Sequence, residues 1–275
     1  MAVGHPSFGA LPEESLKLTL LPPPRPLLLF WALGAQTKLA VKAAIAAGYR
    51  HIDGAWIYGN EIEVGQGIRE AIREGLVTRG ELFVTSKLWV HSFDTREVER
   101  ACRDTLDDLF GPSDSEDKYL DLYLVHQPFE MASGRIVGTF DAAKTWPGME
   151  GCVAKGLARA VGVSNFNVEL LDETIATAAE HRPCVNQVEV HPGNRNDALR
   201  AACAERGVVV EAYAPLGTSS MLGDAVVGRV AKRRGVTPAQ AMLAWGLKYV
   251  ARRRGACVFL QTKRFCLPRC KFSPC

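Results

Sequence analysis

The chain has 275 residues, 47% of them hydrophobic and 8% aromatic, enough to bury the core of a single α/β barrel of about 250 residues. Its net charge of +3 hides an asymmetry: up to Asp224 there are 30 acidic against 21 basic residues, and from Ala225 onward there are 12 basic residues and no acid. The basic run Arg252-Arg253-Arg254 has no nucleic-acid motif beside it, so a solvated face is expected there, with no nucleic-acid partner.

The segment Leu27-Leu28-Leu29-Phe30-Trp31 reads as a damaged first strand. The apolar run it opens is far shorter than the roughly 20 residues that span a bilayer. It also lies behind Glu13, Glu14 and Pro22-Pro23-Pro24, so neither a membrane span nor a leader is expected. Val41, Ala44 and Ile45 mark a helix closed by Gly48, and Tyr49 to Asp53 a short strand. Val64, Ile68, Ala71 and Ile72 recur at helical spacing up to Gly75, and Leu82 to Thr85 is a strand. Asp94 and Glu97 form a capping pair for a helix whose face is Val98, Cys102, Leu106 and Leu109. Tyr119 to Val125 is a strand, followed by a helix ending near Lys155.

Strands are then predicted over Ala158–Val163, Cys184–Val190 and Val208–Pro215, with helices over Asn167–Ala179 and around Ala198–Ala204. Thr237-Pro238 opens a helix through Tyr249, and Cys257 to Leu260 is a final strand. Strand–helix repetition with short connections means a parallel sheet covered by helices. Eight strands close such a sheet into a (β/α)8 TIM barrel. Gly65-Gln-Gly67 imitates a dinucleotide-binding turn, but it sits inside a helical repeat and lacks a third glycine. Eight scattered cysteines with no C-x-x-C pattern predict reduced thiols, a cytoplasmic home and no metal site; Cys266, Cys270 and Cys275 cluster without a matching Cys/His pair.

Asp53, Lys87 and His126 each follow a short apolar run, and Tyr58 lies in the loop after Asp53. In a barrel these positions fall at the C-terminal ends of successive strands, where catalytic groups gather. Together they suit carbonyl reduction, which needs a proton donor because negative charge builds on oxygen. A phenol with a pKa near 10 is a poor acid, but a neighbouring ammonium pulls that value down. A carboxylate would fix the ammonium, and an imidazole would orient the carbonyl. Taken singly, each has a plainer explanation as a turn cap, a loop aromatic, a strand end or a core histidine.

These residues resemble the aldo-keto reductase family over residues 41–249, as one barrel domain with atypical stretches at 1–36 and 261–275. Gly48-Tyr-Arg-His-Ile-Asp53, Tyr58-Gly-Asn-Glu61, Thr85-Ser-Lys87-Leu-Trp89 and Leu124-Val-His126 carry the likeness. So do Gly162-Val-Ser-Asn-Phe166, Asn186-Gln187-Val-Glu-Val-His-Pro192 and Tyr213-Ala-Pro-Leu-Gly217. The resemblance implies NADP(H) as cofactor, a small-molecule carbonyl as substrate, and Tyr58 as proton donor tuned by Lys87 and Asp53, with His126 directing the carbonyl. It further implies that Ser164, Asn165 and Gln187 hold the nicotinamide amide, that Tyr213 stacks on its ring beside Leu216, and that Trp89 walls the substrate pocket.

Both ends depart from the family pattern. Bulky Leu27–Phe30 stand where the family has a glycine-rich strand close to the cofactor. After Leu260 the chain has Lys263 and Arg264 but no Pro-Lys-Ser turn, and Pro268 and Pro274 oppose a closing helix. A missing final helix would leave barrel surface uncovered and favour self-association. The competing expectation is therefore a catalytically weak barrel that binds nucleotide or acts as a regulatory interaction subunit.

Overall fold

The computed structural model describes residues 26–28, 34–112, 116–250, 257–258 and 260–261. Strand β1 (Pro26–Leu28) leads to helix α1 (Ala35–Ala46), and β2 (His51–Asp53) to α2 (Glu61–Arg73). β3 (Phe83–Leu88) precedes α3 (Thr95–Phe110). β4 (Leu122–Val125) is followed by a hairpin of β5 (Phe129–Ala132) and β6 (Arg135–Thr139), then by α4 (Ala142–Ala154). Next come β7 (Val161–Ser164) with α5 (Val168–Thr177), β8 (Val185–Glu189) with α6 (Asp197–Glu205), and β9 (Val209–Tyr213) with α7 (Ala225–Arg234) and α8 (Pro238–Val250). Two dipeptide strands, β10 (Cys257–Val258) and β11 (Leu260–Gln261), come last.

The sheet is parallel in the order β10-β9-β8-β7-β4-β3-β2-β1-β11. Its two edge strands are one residue apart in the chain. β10 pairs with β9, setting Cys257 against Glu211, while β11 pairs with β1, setting Leu260 against Leu27. The sheet therefore curls until its edges meet, which is the (β/α)8 barrel architecture. Of the expected strand Cys257–Leu260, Cys257 and Val258 pair with β9 and Leu260 pairs with β1, while residue 259 lies outside the described residues. The shortened first strand is present and pairs with β2 and β11. The rest of the Leu27–Trp31 stretch lies outside the described residues, as do Arg252–Arg254, Lys263, Arg264, the three tail cysteines and the expected loss of the closing helix.

Local chemistry explains the helices. Asp94 caps α3 by accepting from the Arg96 N–H at 3.2 Å. Glu97 does not complete the expected box; it pairs with Arg100 instead. The glycines that imitated a nucleotide turn are packing devices inside α2. A Cβ on Gly65 would lie 2.1 Å from the Leu109 carbonyl oxygen, and one on Gly67 would lie 2.7 Å from Val41 Cβ, so these glycines let α2 sit closely on α3 and α1.

Two elements escaped the sequence reading. The hairpin turns at Ser133 and Gly134, both with positive φ, and a Ser-Gly pair between alternating residues was its signal. Helix α7 is capped by Asp224, which accepts from the Val226 and Val227 N–H groups, and ends on left-handed Gly235.

Candidate active site

The strand ends bring the four predicted groups together. Asp53 closes β2, and the 3-10 turn Trp56–Tyr58 that follows is stopped by Gly59 in the left-handed region. Lys87 is the fifth residue of β3, in register with Leu124 of β4. His126 follows β4 directly, its N–H donating to the Leu88 carbonyl at 3.1 Å. Asp53 and Lys87 are completely buried. Lys87 Nζ donates to Asp53 Oδ2 at 2.7 Å and to the Gly54 carbonyl at 2.8 Å. Nζ lies 5.5 Å from the centre of the Tyr58 ring. The rings of Tyr58 and His126 meet edge to face with centroids 5.9 Å apart, and Trp89 meets His126 at 5.3 Å. Phenol, ammonium, carboxylate and imidazole thus share one end of the barrel, with Trp89 beside them.

The electrostatics correct one expectation. Burial pushes the Tyr58 phenol up; the Lys87 ammonium pulls it down and Asp53 pushes it further up, and the net direction is upward. The neighbouring charge was legible in the sequence, whereas the burial that outweighs it was not. Burial also disfavours the Lys87 ammonium, but the charges of Asp53, Tyr58 and Glu211 outweigh it and hold Lys87 above the usual lysine range. For Asp53 the balance tips the other way, with burial raising it against the pull of Lys87. The two directions pull apart, and the contacts decide: with Nζ at 2.7 Å and an amide on its other oxygen, Asp53 is the anion of a buried ion pair. Burial lowers His126 to about 3, with the Lys87 charge adding to the effect, so the imidazole is neutral at physiological pH. Its Nδ1 is sealed from solvent without a hydrogen-bond partner. An orphaned acceptor costs less than an orphaned N–H, which leaves the ring proton on Nε2.

A second set lies on the next three strands. Asn165, just past β7, adopts φ 64, a left-handed conformation that Asn tolerates better than most residues. Its Nδ2 donates to the His126 carbonyl at 3.0 Å and to Ser164 Oγ at 3.1 Å. Ser164 Oγ donates to the Gln187 carbonyl, and the Tyr213 hydroxyl donates to Asn165 Oδ1, both at 2.8 Å. Half-buried Tyr213 ends β9, and burial raises its phenol to about 12, so it stays neutral. Leu216 stands half-buried at the head of the 3-10 turn Gly217–Gly223, with no polar tie to this set. Amide, hydroxyl and half-exposed aromatic ring are the groups a carboxamide on a flat ring would need.

Two buried carboxyl groups beside this site were not assigned a role from sequence. Glu61, at the start of α2, accepts from Ser86 Oγ and, at 3.1 Å, from Thr105 Oγ1, and burial raises it to about 7. It ties the segment carrying Tyr58 to the strand carrying Lys87. Glu211, on β9, accepts from Gln187 Nε2 at 3.2 Å, and burial raises it to about 8. Its signal was an acid inside an apolar strand, two residues before Tyr213 and so on the same face.

An ion-paired lysine, a phenol and a neutral imidazole thus stand together at the C-terminal mouth of a parallel (β/α)8 barrel. The Aldo/keto reductase family model matches residues 34–263, and the chain belongs to that family. Mouse aldo-keto reductase family 1 member A1 is 42% identical over 232 residues, covering 76% of this chain and 69% of the mouse protein. Aldo-keto reductase family 4 member C11 of Arabidopsis thaliana is 39% identical over 222 residues, covering 76% of this chain and 68% of that protein. Among solved structures, the aldo-keto reductase of Bombyx mori in complex with NADP superposes with a TM-score of 0.76 at 34% identity, covering 88% of this chain and 80% of that one. The aldose reductase of Schistosoma japonicum gives 0.74 at 31% identity, covering 85% and 77%.

Proposed function

We propose that the chain is one barrel domain that reduces aldehydes or ketones to alcohols with NADPH, using Tyr58 as proton donor. The observation that carries this reading is the juxtaposition of the Tyr58 and His126 rings over the Lys87–Asp53 ion pair. Ser164, Asn165 and Gln187 are suited to hold the nicotinamide carboxamide, with Tyr213 and Leu216 against the ring. When bound, NADPH supplies a hydride to the carbonyl carbon.

The protein's own residues do the rest. His126 presents Nε2–H to the carbonyl oxygen, orienting it and favouring the charge that develops there. Upward-shifted Tyr58 keeps its proton at neutral pH and yields it only to the far more basic alkoxide oxygen. The Lys87 ammonium then offsets the charge left on the phenolate, while Asp53 and the Gly54 carbonyl hold that ammonium in place. Trp89 forms an apolar wall beside His126 and favours carbonyls carrying an apolar or aromatic group. Cys102, Cys152, Cys184 and Cys203 are free thiols, which suits a cytosolic home. Among the described residues no helix is long and apolar enough to cross a membrane.

The test is NADPH oxidation with a simple aromatic aldehyde. Wild-type protein should turn over, and Tyr58→Phe should lose about 100-fold or more in kcat, the usual contribution of a positioned general acid. Folded wild-type protein that binds NADPH without turnover would reject the reading and favour a regulatory nucleotide-binding barrel.

A further inference from the structure

Gln187 does more than reach the mouth of the barrel. Its Nε2 lies between two buried carboxyl groups, 3.1 Å from Asp53 Oδ1 and 3.2 Å from Glu211 Oε2. Asp53 is the anion of the ion pair with Lys87 and can only accept, so the Gln187 atom facing it must be the NH2 group. Both amide hydrogens are then directed at these two carboxyl groups. The carbonyl Oε1 is what remains to meet a ligand at the mouth.

Glu211 sits directly across the strand pair from Gln187 in the β8–β9 register. Tyr213, two residues on, shares its face. The titratable groups around it are Asp53 on β2, Lys87 on β3 and Cys184 beside β8, and each interacts with it electrostatically. The proposed reaction assigns nothing to this carboxyl.

We infer that Glu211 is a positioning residue, holding the Gln187 amide group together with Asp53 so that the carbonyl oxygen, and not the amide nitrogen, is offered to the cofactor's carboxamide. The inference rests on the reading of Gln187 as a cofactor contact. It implies that a ligand with an NH2 group at that point is preferred over one presenting only an acceptor. Without Glu211, one amide hydrogen of Gln187 is left buried and unpaired, and the side chain turns to find another acceptor.

The full-length variants Glu211→Leu and Glu211→Gln decide the matter. NADPH affinity is read by protein fluorescence, stability by Tm, and the Gln187 side-chain amide protons by NMR exchange. Glu211→Leu should raise the NADPH Kd about tenfold, lower Tm by a few degrees because one Gln187 amide hydrogen is left buried and unpaired, and remove the exchange protection of that proton. Glu211→Gln keeps an acceptor and should restore affinity and exchange protection. Parent-like affinity and exchange in Glu211→Leu overturn the inference, as does a loss tracking a fall in Tm that Glu211→Gln fails to rescue. If wild-type protein does not bind NADPH at all, the proposed function fails instead, and the Gln187 amide protons still report whether Glu211 orients them.

Discussion

Two buried ion pairs stand at neighbouring strands of this barrel, and they do opposite work. Arg79 bonds Asp121 at 2.9 Å and also donates to the backbone carbonyls of Leu82 and Tyr119, at 2.8 and 2.7 Å. Its guanidinium lies 3.9 Å above the Tyr119 ring, and Asp121 accepts from the Val84 N–H at 2.9 Å. Nearly every bond of this pair ends on backbone entering β3 and β4, so it is a clamp. Lys87 and Asp53 are buried still more deeply, but around them lie Tyr58, His126 and Glu211, all able to exchange a proton. Burial alone does not separate a structural pair from a functional one. The identity of the third partner does.

That contrast can be broken most forcefully at the clamp. Arg79→Met leaves Asp121 buried without its cation and should cost about 3–5 kcal/mol of stability, a fall of about 10 °C in Tm, with kcat of the remaining folded protein unchanged. Thermal melts paired with active-site-normalised rates check this, and an equal loss in kcat would erase the distinction. Lys87→Met should instead reduce kcat about 100-fold, by removing the charge that offsets the phenolate. Steady-state rates on protein confirmed as folded by circular dichroism measure that effect.

A further effect concerns pH. Glu211 keeps its proton to about pH 8 in the folded protein but releases it near the ordinary glutamate value when unfolded. Between those values the folded state binds more protons, so this group's contribution to stability falls as pH rises. Glu211→Gln removes that dependence. Its Tm relative to wild type should therefore climb steadily from about pH 4.5 to 8, and a constant difference across that range would contradict the assignment.

The parts of this molecule that were legible in its sequence are those written locally. Asp53, Lys87 and His126 each terminate an apolar run, and the run itself sets their place at the mouth. The glycine pair at 65 and 67 was read as helical from the periodicity around it, and the contacts with Leu109 and Val41 supply the reason for both glycines. Glu211 was overlooked because its meaning comes from Gln187 and from Asp53, distant in the chain and joined only by strand register. The upward shift of Tyr58 was unreadable for a related reason: a nearby lysine can be inferred from motif spacing, but the depth of burial cannot. The hairpin after β4 was passed over because its exposed Ile136 and Val137 do not mark out one buried face.

The way the cylinder is sealed has a consequence for how it would come apart. Among the described residues, β8 and β9 are matched over five residue pairs, while the seam shows two pairs on each side of the final dipeptides. Unzipping should start there, stripping the outer neighbour from the strand that bears Glu211 and Tyr213. Grip on a nucleotide would then slacken while the Arg79 clamp and the strands it braces still hold.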